Sequence, residues 1–428
     1  MTSSASDLRV DGPRLLARLE ELAAIGADPR GGVTRLAYSA QDVRARKLVA
    51  GWMAEAGLAT RIDAAGNLLG GAAGTAGLRG ALVLGSHLDS VVRGGRLDGP
   101  AGVLAAVQAA AALHQSGTRL RHDLIIAAFS NEEGARGTPG MVGSKAVAGL
   151  LGEADLARPD EEGVPLAERI RAVGGDPDRI DQAAWDPRDL AGFLELHIEQ
   201  GPVLEERGAR IGVVTAVTGQ AKVAALITGA ANHAGTTPMA RRRDAAVAAA
   251  HLVLAVEELA VGGCLRTATT GVMRTGPGVG NVIPGEAVLG IDLRDTEEER
   301  ITAAIARLGD LAAGIARRTG TTIELRPGPV QAPVATDTWL SGCVAEAAHR
   351  RGAPCSPLPS GAGHDAQIMA RLGPAAMVFV PSVGGVSHAP AEASRPEDLV
   401  LGADVLLHTL LAADRADRAD GELAADAP

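Results

Sequence analysis

The sequence is poor in several residue types, and each shortage narrows the class of protein that it can encode. It has 428 residues but only three cysteines, Cys264, Cys343 and Cys355, whose spacing suits neither a disulfide framework nor a zinc knuckle. We therefore expect structural thiols in a cytoplasmic protein. Aromatic residues make up 2% of the chain, and no apolar run approaches the roughly 20 residues of a membrane-spanning helix. Small apolar side chains must fill the core, and no membrane partner is expected.

Positive charge is also in deficit. Acidic residues number 51 against 41 basic ones, which gives a formal net charge of −10. Proteins that bind nucleic acid usually present basic stripes and aromatic stacking platforms, and this sequence has neither. A small-molecule partner is therefore a better expectation than a nucleic acid.

The length predicts two domains, because single hydrophobic cores stop growing near roughly 250 to 300 residues. Strand and helix patterns alternate through residues 1–217 and again through 328–413, which is typical of an α/β domain. Between these ranges, residues 218–327 predict the order β-α-β-β-α-β of a split βαβ sandwich. The last residues, 414–428, are charged and without apolar periodicity, so we expect disorder there.

Acidic and histidine residues follow four apolar, strand-like runs at the point where each run ends. In an open α/β sheet, ligands bind outside the carboxyl ends of the strands, so residues far apart in sequence can meet there. The pattern therefore predicts one site built from all four runs. The residues concerned are His87, Asp89 and Asp98 after the first run, Glu132 and Glu133 after the second, His197 in the third and His388 after the fourth.

The residue types in this pattern indicate a site for two metal ions. Imidazole and carboxylate ligands suit Zn, Mn, Co or Ni. The carboxylate of Asp89 can orient the imidazole of His87, and Asp98, in a glycine-bounded loop, is free to bridge two ions. If Glu133 binds a metal, its neighbour Glu132 is free to take a proton from water that the metals activate. The expected chemistry is hydrolysis of an amide-like bond.

Seven short motifs occur in order along the chain, and together they carry a family resemblance. They are GSHLDSVVRGGRLDG, NEEGAR, HIEQGPVLE, NHAGTTPM, NVIPG, SGAGHDAQ and GVSHAPAE. The chain resembles the hydantoinase/carbamoylase branch of the dinuclear aminoacylase and carboxypeptidase-like metallohydrolases, from about residue 32 to the last helix. The resemblance implies a mixed-sheet α/β/α metallopeptidase-like catalytic domain with an inserted ferredoxin-like βαββαβ lid. It also implies a homodimer that forms through the lid.

The resemblance gives each matching position a role. Glu132 matches the general base, with Asp89 beside it, and Asp98 matches a ligand that bridges two divalent ions, zinc or manganese, with cobalt and nickel as alternatives. In the lid, His233 matches a catalytic histidine that stabilises the developing oxyanion, often across the dimer. The matching metal ligands are His87, Asp98, Glu133, His197 and His388, and the matching substrate-binding residues are Gln200, His233, Asn281, Arg294 and His364.

One departure from the family pattern lies beside the NEEGAR motif. Gly137 follows Arg136 where the family usually has phenylalanine, and we expect this change to open space beside the metal loop. The change spares the proposed ligands and the base. It therefore bears on the identity of the substrate rather than on catalysis.

The leading expectation is a metal-dependent amidohydrolase that cleaves an N-carbamoyl-L-amino acid or a ureido acid such as allantoate, with water activated by Glu132. A second reading is a dipeptidase or N-acyl-amino acid hydrolase, because the same metal centre can attack other amides. The lid residues argue against it. A third reading is an inert protein that kept the metal pocket and lost turnover, but the presence of Glu132 argues for chemistry.

Overall fold

A computed structural model describes residues 8–415, and its strands follow the apolar runs of the sequence. The first two strands, on either side of residues 63–67, pair in the antiparallel direction. The strands are β1 (Ala59–Ile62), β2 (Leu68–Ala72), β3 (Ala81–His87), β4 (Asp123–Phe129), β5 (Leu190–Ile198), β6 (Ile211–Val217), β7 (Gly219–Thr228), β8 (Asn232–His233), β9 (Thr267–Gly276), β10 (Val282–Ile283), β11 (Glu286–Asp295), β12 (Thr322–Pro327), β13 (Val334–Ala335), β14 (Cys355–Ser360) and β15 (Ala375–Val380).

The helices begin and end at residues that favour those positions. Asp11 and Ser39 accept backbone hydrogen bonds at the starts of the first two helices, and Gly117 and Gly320 end two long ones in the left-handed conformation. The helices are α1 (Gly12–Ala23), α2 (Ala40–Glu55), α3 (Pro100–Ser116), α4 (Val142–Val147), α5 (Glu153–Leu156), α6 (Leu166–Ala172), α7 (Val203–Arg207), α8 (Ala245–Val261), α9 (Glu298–Thr319), α10 (Thr338–Arg350), α11 (Asp365–Met369) and α12 (Pro396–Arg415).

The chain divides into two compact units, of which the first comprises the described residues up to Thr215 and from Thr336 onward. Its central sheet is mixed, in the order β1-β2-β4-β3-β5-β15-β6, with β14 also pairing with β6. Neighbours among β4, β3, β5 and β15 run parallel. Helices α1, α2, α3, α10 and α12 share one large apolar core, and α4 and α6 share a smaller one. The fold is therefore a mixed α/β fold, as expected.

The second unit spans Ala216–Ala335, slightly wider at each end than the range 218–327 named from the sequence. The chain enters it along β6 and leaves it along β13, where Val217 and Ala216 pair with Val334 and Ala335. Its antiparallel sheet has the order β12-β7-β11-β9. Alternate residues of β7 are buried against α8 and α9, as the period of a half-buried strand requires.

Two expectations from the sequence need correction. The tail does not begin at residue 414, because α12 continues to Arg415 and Asp414 accepts hydrogen bonds from the backbone of residues 121 and 122. The rest of the predicted tail, 416–428, lies outside the described residues. Cys264 and Cys355 are exposed rather than packed. Gly137 has a φ of 76°, in the left-handed region that favours glycine, and a Cβ there would lie 2.9 Å from the side chain of Glu161; the expected space beside the metal loop stays a prediction.

None of the helices within residues 8–415 combines the length and hydrophobicity that a bilayer-spanning segment requires.

Candidate metal centre

The predicted site lies at the carboxyl edge of the four neighbouring parallel strands. His87 is the last residue of β3 and lies opposite Phe129, where β4 ends. His197, near the end of β5, lies opposite Phe379 of β15. The loops that follow β4 and β15 carry the two glutamates and the last histidine. The topology thus brings together polar residues that are separated by three hundred positions in the sequence.

Three buried side chains form what we call the inner group: His87, Asp98 and His197. Asp98 Oδ1 lies 3.5 Å from His87 Nε2 and 3.1 Å from His197 Nε2. Gly99, which follows Asp98, has a φ of 81°, and a Cβ there would lie 2.5 Å from the ring of His87. The glycine next to Asp98 therefore allows its loop to close over the imidazole.

The outer group consists of Asp98, Glu133 and His388. Its histidine Nε2 lies 3.1 Å from Asp98 Oδ2 and 3.4 Å from Glu133 Oε2. The two oxygens of Asp98 therefore face different groups. Unlike the inner histidines, His388 is half exposed and sits in the left-handed region, with a φ of 53°.

The chemistry of the inner donors fits a metal ion. Nδ1 of His87 lies 3.0 Å from the carbonyl oxygen of Asp89, and Nδ1 of His197 lies 2.9 Å from that of Ile198. A carbonyl oxygen only accepts, so both rings carry a proton on Nδ1, and a neutral ring then turns an Nε2 lone pair towards the carboxylate of Asp98. Nε2 of each ring is therefore the atom that can bind a cation beside Asp98.

The spacing of the donors also fits. Two ligand atoms that each lie about 2.1 Å from one ion, at a tetrahedral angle, are about 3.4 Å apart. The nitrogen-to-oxygen distances within the two groups run from 3.1 to 3.5 Å. Both groups can therefore hold a divalent cation, with Asp98 shared between them.

Glu132 stands beside the inner group without belonging to either group. Its Oε2 lies 3.8 Å from His87 Nε2, and its side chain is 9% exposed. The carboxylate of Asp89 accepts hydrogen bonds from the backbone N–H groups of Glu132 and Glu133, both at 3.2 Å. The nearer carboxylate oxygen of Asp89 is 3.8 Å from His87 Nδ1. The close contact with the ring is therefore made by the backbone carbonyl of Asp89 and not by its carboxylate. Asp89 thus orients the ring through its main chain and the glutamate loop through its side chain.

The electrostatics of the metal-free site show a shortage of positive charge. Burial raises the pKa of Glu132 well above its usual value, and burial followed by repulsion from Asp98 raises the pKa of Glu133 to about 7. The hydrogen bond to Asp98 raises the pKa of His388 to about 9. These shifts mean that the carboxylates of this cluster lack compensating positive charge. Divalent cations would supply the missing charge.

Comparison with known proteins gives this geometry a family. The model of peptidase family M20/M25/M40 matches residues 83–412. An N-carbamoyl-L-amino acid amidohydrolase of Geobacillus stearothermophilus is 43% identical, over 94% of this chain and 98% of its own length. A hydantoinase/carbamoylase family amidase from Burkholderia multivorans superposes with a TM-score of 0.87 at 39% identity, over 95% of this chain and 98% of that one. The chain belongs to this family and to its hydantoinase/carbamoylase branch.

A further relative has a different name. An allantoate amidohydrolase of Bacillus subtilis is 36% identical, over 92% of this chain and 95% of its own length. Enzymes of the M20 family are metal-dependent, in agreement with the two groups of donors in this chain.

Two residues that the resemblance marked for substrate binding lie within the metal centre. Gln200 has a φ of 61°, and its Nε2 donates to Asp98 Oδ2 at 2.7 Å, while its Oε1 is buried without a partner. The ring of His364 lies 4.6 Å from that of His197, and its Nε2 lies 2.8 Å from Ser360 Oγ. Burial lowers the pKa of His364 well below its usual value, which keeps this ring neutral.

The three remaining predicted substrate residues lie in the second unit. His233 and Asn281 are exposed and adjacent, since Ala234 N–H donates to the carbonyl of Asn281 at 3.0 Å. Arg294, on β11, is half-buried, and its Nε donates to Asp292 Oδ1 at 2.7 Å. The second unit thus contains an exposed histidine beside an asparagine, and an arginine whose side chain is oriented by Asp292.

Sequence reasoning missed several buried acids around this centre. Glu195 accepts hydrogen bonds from Ser86 Oγ and Ala366 N–H, and Asp365 accepts one from Ser144 Oγ at 2.6 Å. Glu195 precedes His197 by two positions, so the strand period could have placed it on the same face. Burial, with repulsion from Glu195, raises the pKa of Asp365 to about 8. Glu392 is the last residue of the GVSHAPAE motif, but no pattern in the sequence predicted its contact with the segment of Asp98.

Proposed function

We propose that this protein is a metal-dependent amidohydrolase that cleaves an N-carbamoyl-L-amino acid or a related ureido acid such as allantoate. The observation that carries the proposal is the pair of donor groups that share Asp98, with Glu132 beside them. The names of the relatives supply the substrate class, since those from Geobacillus and Bacillus both denote amidohydrolases of ureido or carbamoyl compounds. For a carbamoyl substrate, one water is consumed, and an amine, ammonia and carbon dioxide are released.

The residues of the first unit divide the chemistry between them. His87, His197, Glu133 and His388 would hold two divalent ions, bridged by Asp98. The ions, when bound, would polarise the ureido carbonyl and lower the pKa of water. Glu132, buried and with a raised pKa, accepts the proton from the attacking water and returns it to the leaving nitrogen. The hydrogen bonds of Asp89 to the backbone of residues 132 and 133 keep this base in place.

The second unit is proposed to act as a lid that binds the substrate. Arg294 would pair with the carboxylate of the substrate through two parallel hydrogen bonds, the geometry that a guanidinium favours. Its contact with Asp292 holds it in position for that role. Asn281 would add a hydrogen bond to the same carboxylate, and His233 would stabilise the negative charge that develops on the oxygen of the ureido carbonyl.

One surface of the second unit suits a homodimer. Strand β9 is an edge of its sheet and exposes Val272 and Met273. Helix α8, which contacts β9, exposes Val247, Leu254 and Val261 at intervals of seven residues, on one face of the helix. We propose that this surface pairs with a second copy of the chain. Light scattering should then give a dimer for the parent protein and a monomer for Leu254→Glu, and a monomeric parent would contradict the proposal.

The substrate is tested by product release. Protein loaded with Mn or Zn is assayed for ammonia with allantoate, several N-carbamoyl-L-amino acids and N-carbamoyl-β-alanine, and for free amino acid with an N-acetyl amino acid and a dipeptide. Ammonia from one of the ureido compounds is the expected result. Amino acid from the acetylated compound or the dipeptide, without ammonia from any ureido compound, would assign the chain to the acylase or dipeptidase class instead.

A further inference from the structure

A buried glutamate that the proposed chemistry does not use anchors the segment of Asp98. Glu392 is 5% exposed and lies four residues after His388. Its Oε1 accepts hydrogen bonds from the backbone N–H groups of Leu97, at 2.9 Å, and Asp98, at 3.1 Å. One carboxylate oxygen therefore fixes the main chain of the residue that both donor groups share.

The other oxygen of the same carboxylate reaches the loop of the outer histidine. Ser387 Oγ lies 2.9 Å from Glu392 Oε2 and 3.0 Å from Asp98 Oδ2, so its single proton can serve either carboxylate. Ser387 immediately precedes His388, whose left-handed backbone is costly for a histidine and persists only where the surroundings fix it. Glu392 thus connects the segment of Asp98 to the strained turn of His388.

The chain leaves room for this carboxylate at a glycine. A Cβ on Gly95 would lie 1.8 Å from the carboxyl carbon of Glu392, and its three nearest atoms all belong to that carboxyl group. The backbone of Gly95 is not in the left-handed region, so its conformation alone does not require glycine. The position of Glu392 is the physical reason for a glycine there.

We propose that Glu392 is a positioning residue of the metal centre, which holds Asp98 and His388 in the register that lets the outer group bind its ion. The inference rests on the proposed function, because it takes the outer group to be a metal site. Partners that orient metal ligands typically contribute about 10- to 100-fold to metal affinity or activity. We expect an effect of that size on the outer ion, because Glu392 supports both Asp98 and the turn of His388. The inner ion keeps the two histidines of buried strands and should be lost last.

The test compares metal content, by mass spectrometry of the purified protein, with kcat/KM for the ureido substrate. Glu392→Ala should reduce the metal content from two ions per chain to about one and lower kcat/KM about 10- to 100-fold. Glu392→Gln should retain both ions, because its amide oxygen can still accept from Leu97 and Asp98. The matched control is Glu205→Ala, since Glu205 accepts from Gly384 N–H at 2.8 Å in the same loop but does not contact Asp98. Two retained ions with parental activity in Glu392→Ala would overturn the inference.

A second variant, at Gly95, disturbs the carboxylate of Glu392 without changing Glu392 itself. Gly95→Ala should displace the carboxylate of Glu392 and reproduce the loss of one ion. In the double variant with Glu392→Ala, the added methyl group meets no carboxylate, so the two losses should not add. Independent, additive losses would show that Gly95 acts in another way and would contradict the assignment.

Different measurements test this inference and the proposed function. If the parent protein released no ammonia from any ureido compound, the proposed substrate class would be wrong whatever Glu392 does. If the parent protein is active with two ions and Glu392→Ala also binds two, only the role of Glu392 is wrong. Folding of each variant is checked by its unfolding temperature without metal, which a defect confined to the outer group leaves near the parental value.

Discussion

The inner and outer donor groups share Asp98 but are built in different ways. His87 and His197 belong to buried strands, are at most 1% exposed, and have their Nδ1 atoms fixed by main-chain carbonyls. His388 lies on a loop, is half exposed, and has a left-handed backbone. The inner group is therefore preorganised by the sheet itself, whereas the outer group depends on side-chain contacts between loops.

This difference suggests that the two groups bind their ions with different affinities. A site whose ligands are fixed by regular structure pays little to become ordered when an ion binds, so it should bind tightly. A site whose ligands lie on loops should exchange its ion more readily. We therefore expect the inner ion to be retained longest and the outer ion to be the one that variants remove.

The largest effect is expected from a residue that belongs to neither group. Glu132→Gln removes the proton acceptor while leaving all five donors in place, so kcat should fall at least ~10²-fold with two ions still bound. Steady-state kinetics and metal analysis on the same preparation check this prediction. The exposed Glu206→Gln serves as the control and should match the parent. Normal turnover by Glu132→Gln would remove this residue from the role of base.

Replacing one histidine from each group tests the comparison itself. In metal-free protein, His87→Ala leaves a buried gap and an unpaired carbonyl, and should lower the free energy of unfolding by about 2 kcal/mol. His388→Ala, at a half-exposed position, should lower it by less than His87→Ala does, and should remove one ion from the metal-loaded protein. Chemical denaturation of the two metal-free variants gives both values. Equal destabilisation would mean that the two groups are equally built into the core.

The two donor groups should lose their ions at different rates. During dialysis against a chelator, we expect one ion per chain to leave quickly and the second slowly, because His388 of the outer group is half exposed whereas both inner histidines are buried. The unfolding temperature should fall with each loss, since ions that bind only the folded state stabilise it by mass action, and added metal should restore it. Loss of both ions in a single phase would contradict the predicted difference in exposure.

The smallest effect is expected at Ser387. Ser387→Ala removes one hydroxyl that lies between Asp98 and Glu392 but leaves both carboxylates and every proposed ligand in place. A hydrogen bond from a neutral hydroxyl contributes about 1 kcal/mol to the stability of the arrangement that it holds, so the affinity for the outer ion should fall roughly three- to tenfold. Competition with a fluorescent chelator measures it, and a loss above 100-fold would show that Ser387 itself acts as a ligand.

The sequence predicted the inner group better than the outer group for a physical reason. His87 and His197 end apolar runs, and the strand rule for parallel sheets places such residues at one edge. His388 follows a run too, but its position depends on a turn that no periodicity describes. The backbone contact of Asp89 with His87, and the reach of Glu392 to Asp98 across 294 positions, arise only from three-dimensional packing.

The central claim is that two ions lie on either side of Asp98. Anomalous scattering from crystals of the manganese-loaded protein tests it directly, because each ion appears as a separate peak. The account predicts two peaks about 3.5 to 4 Å apart, one against His87 and His197 and the other against Glu133 and His388. A single peak, or a second peak that does not contact Asp98, would contradict it.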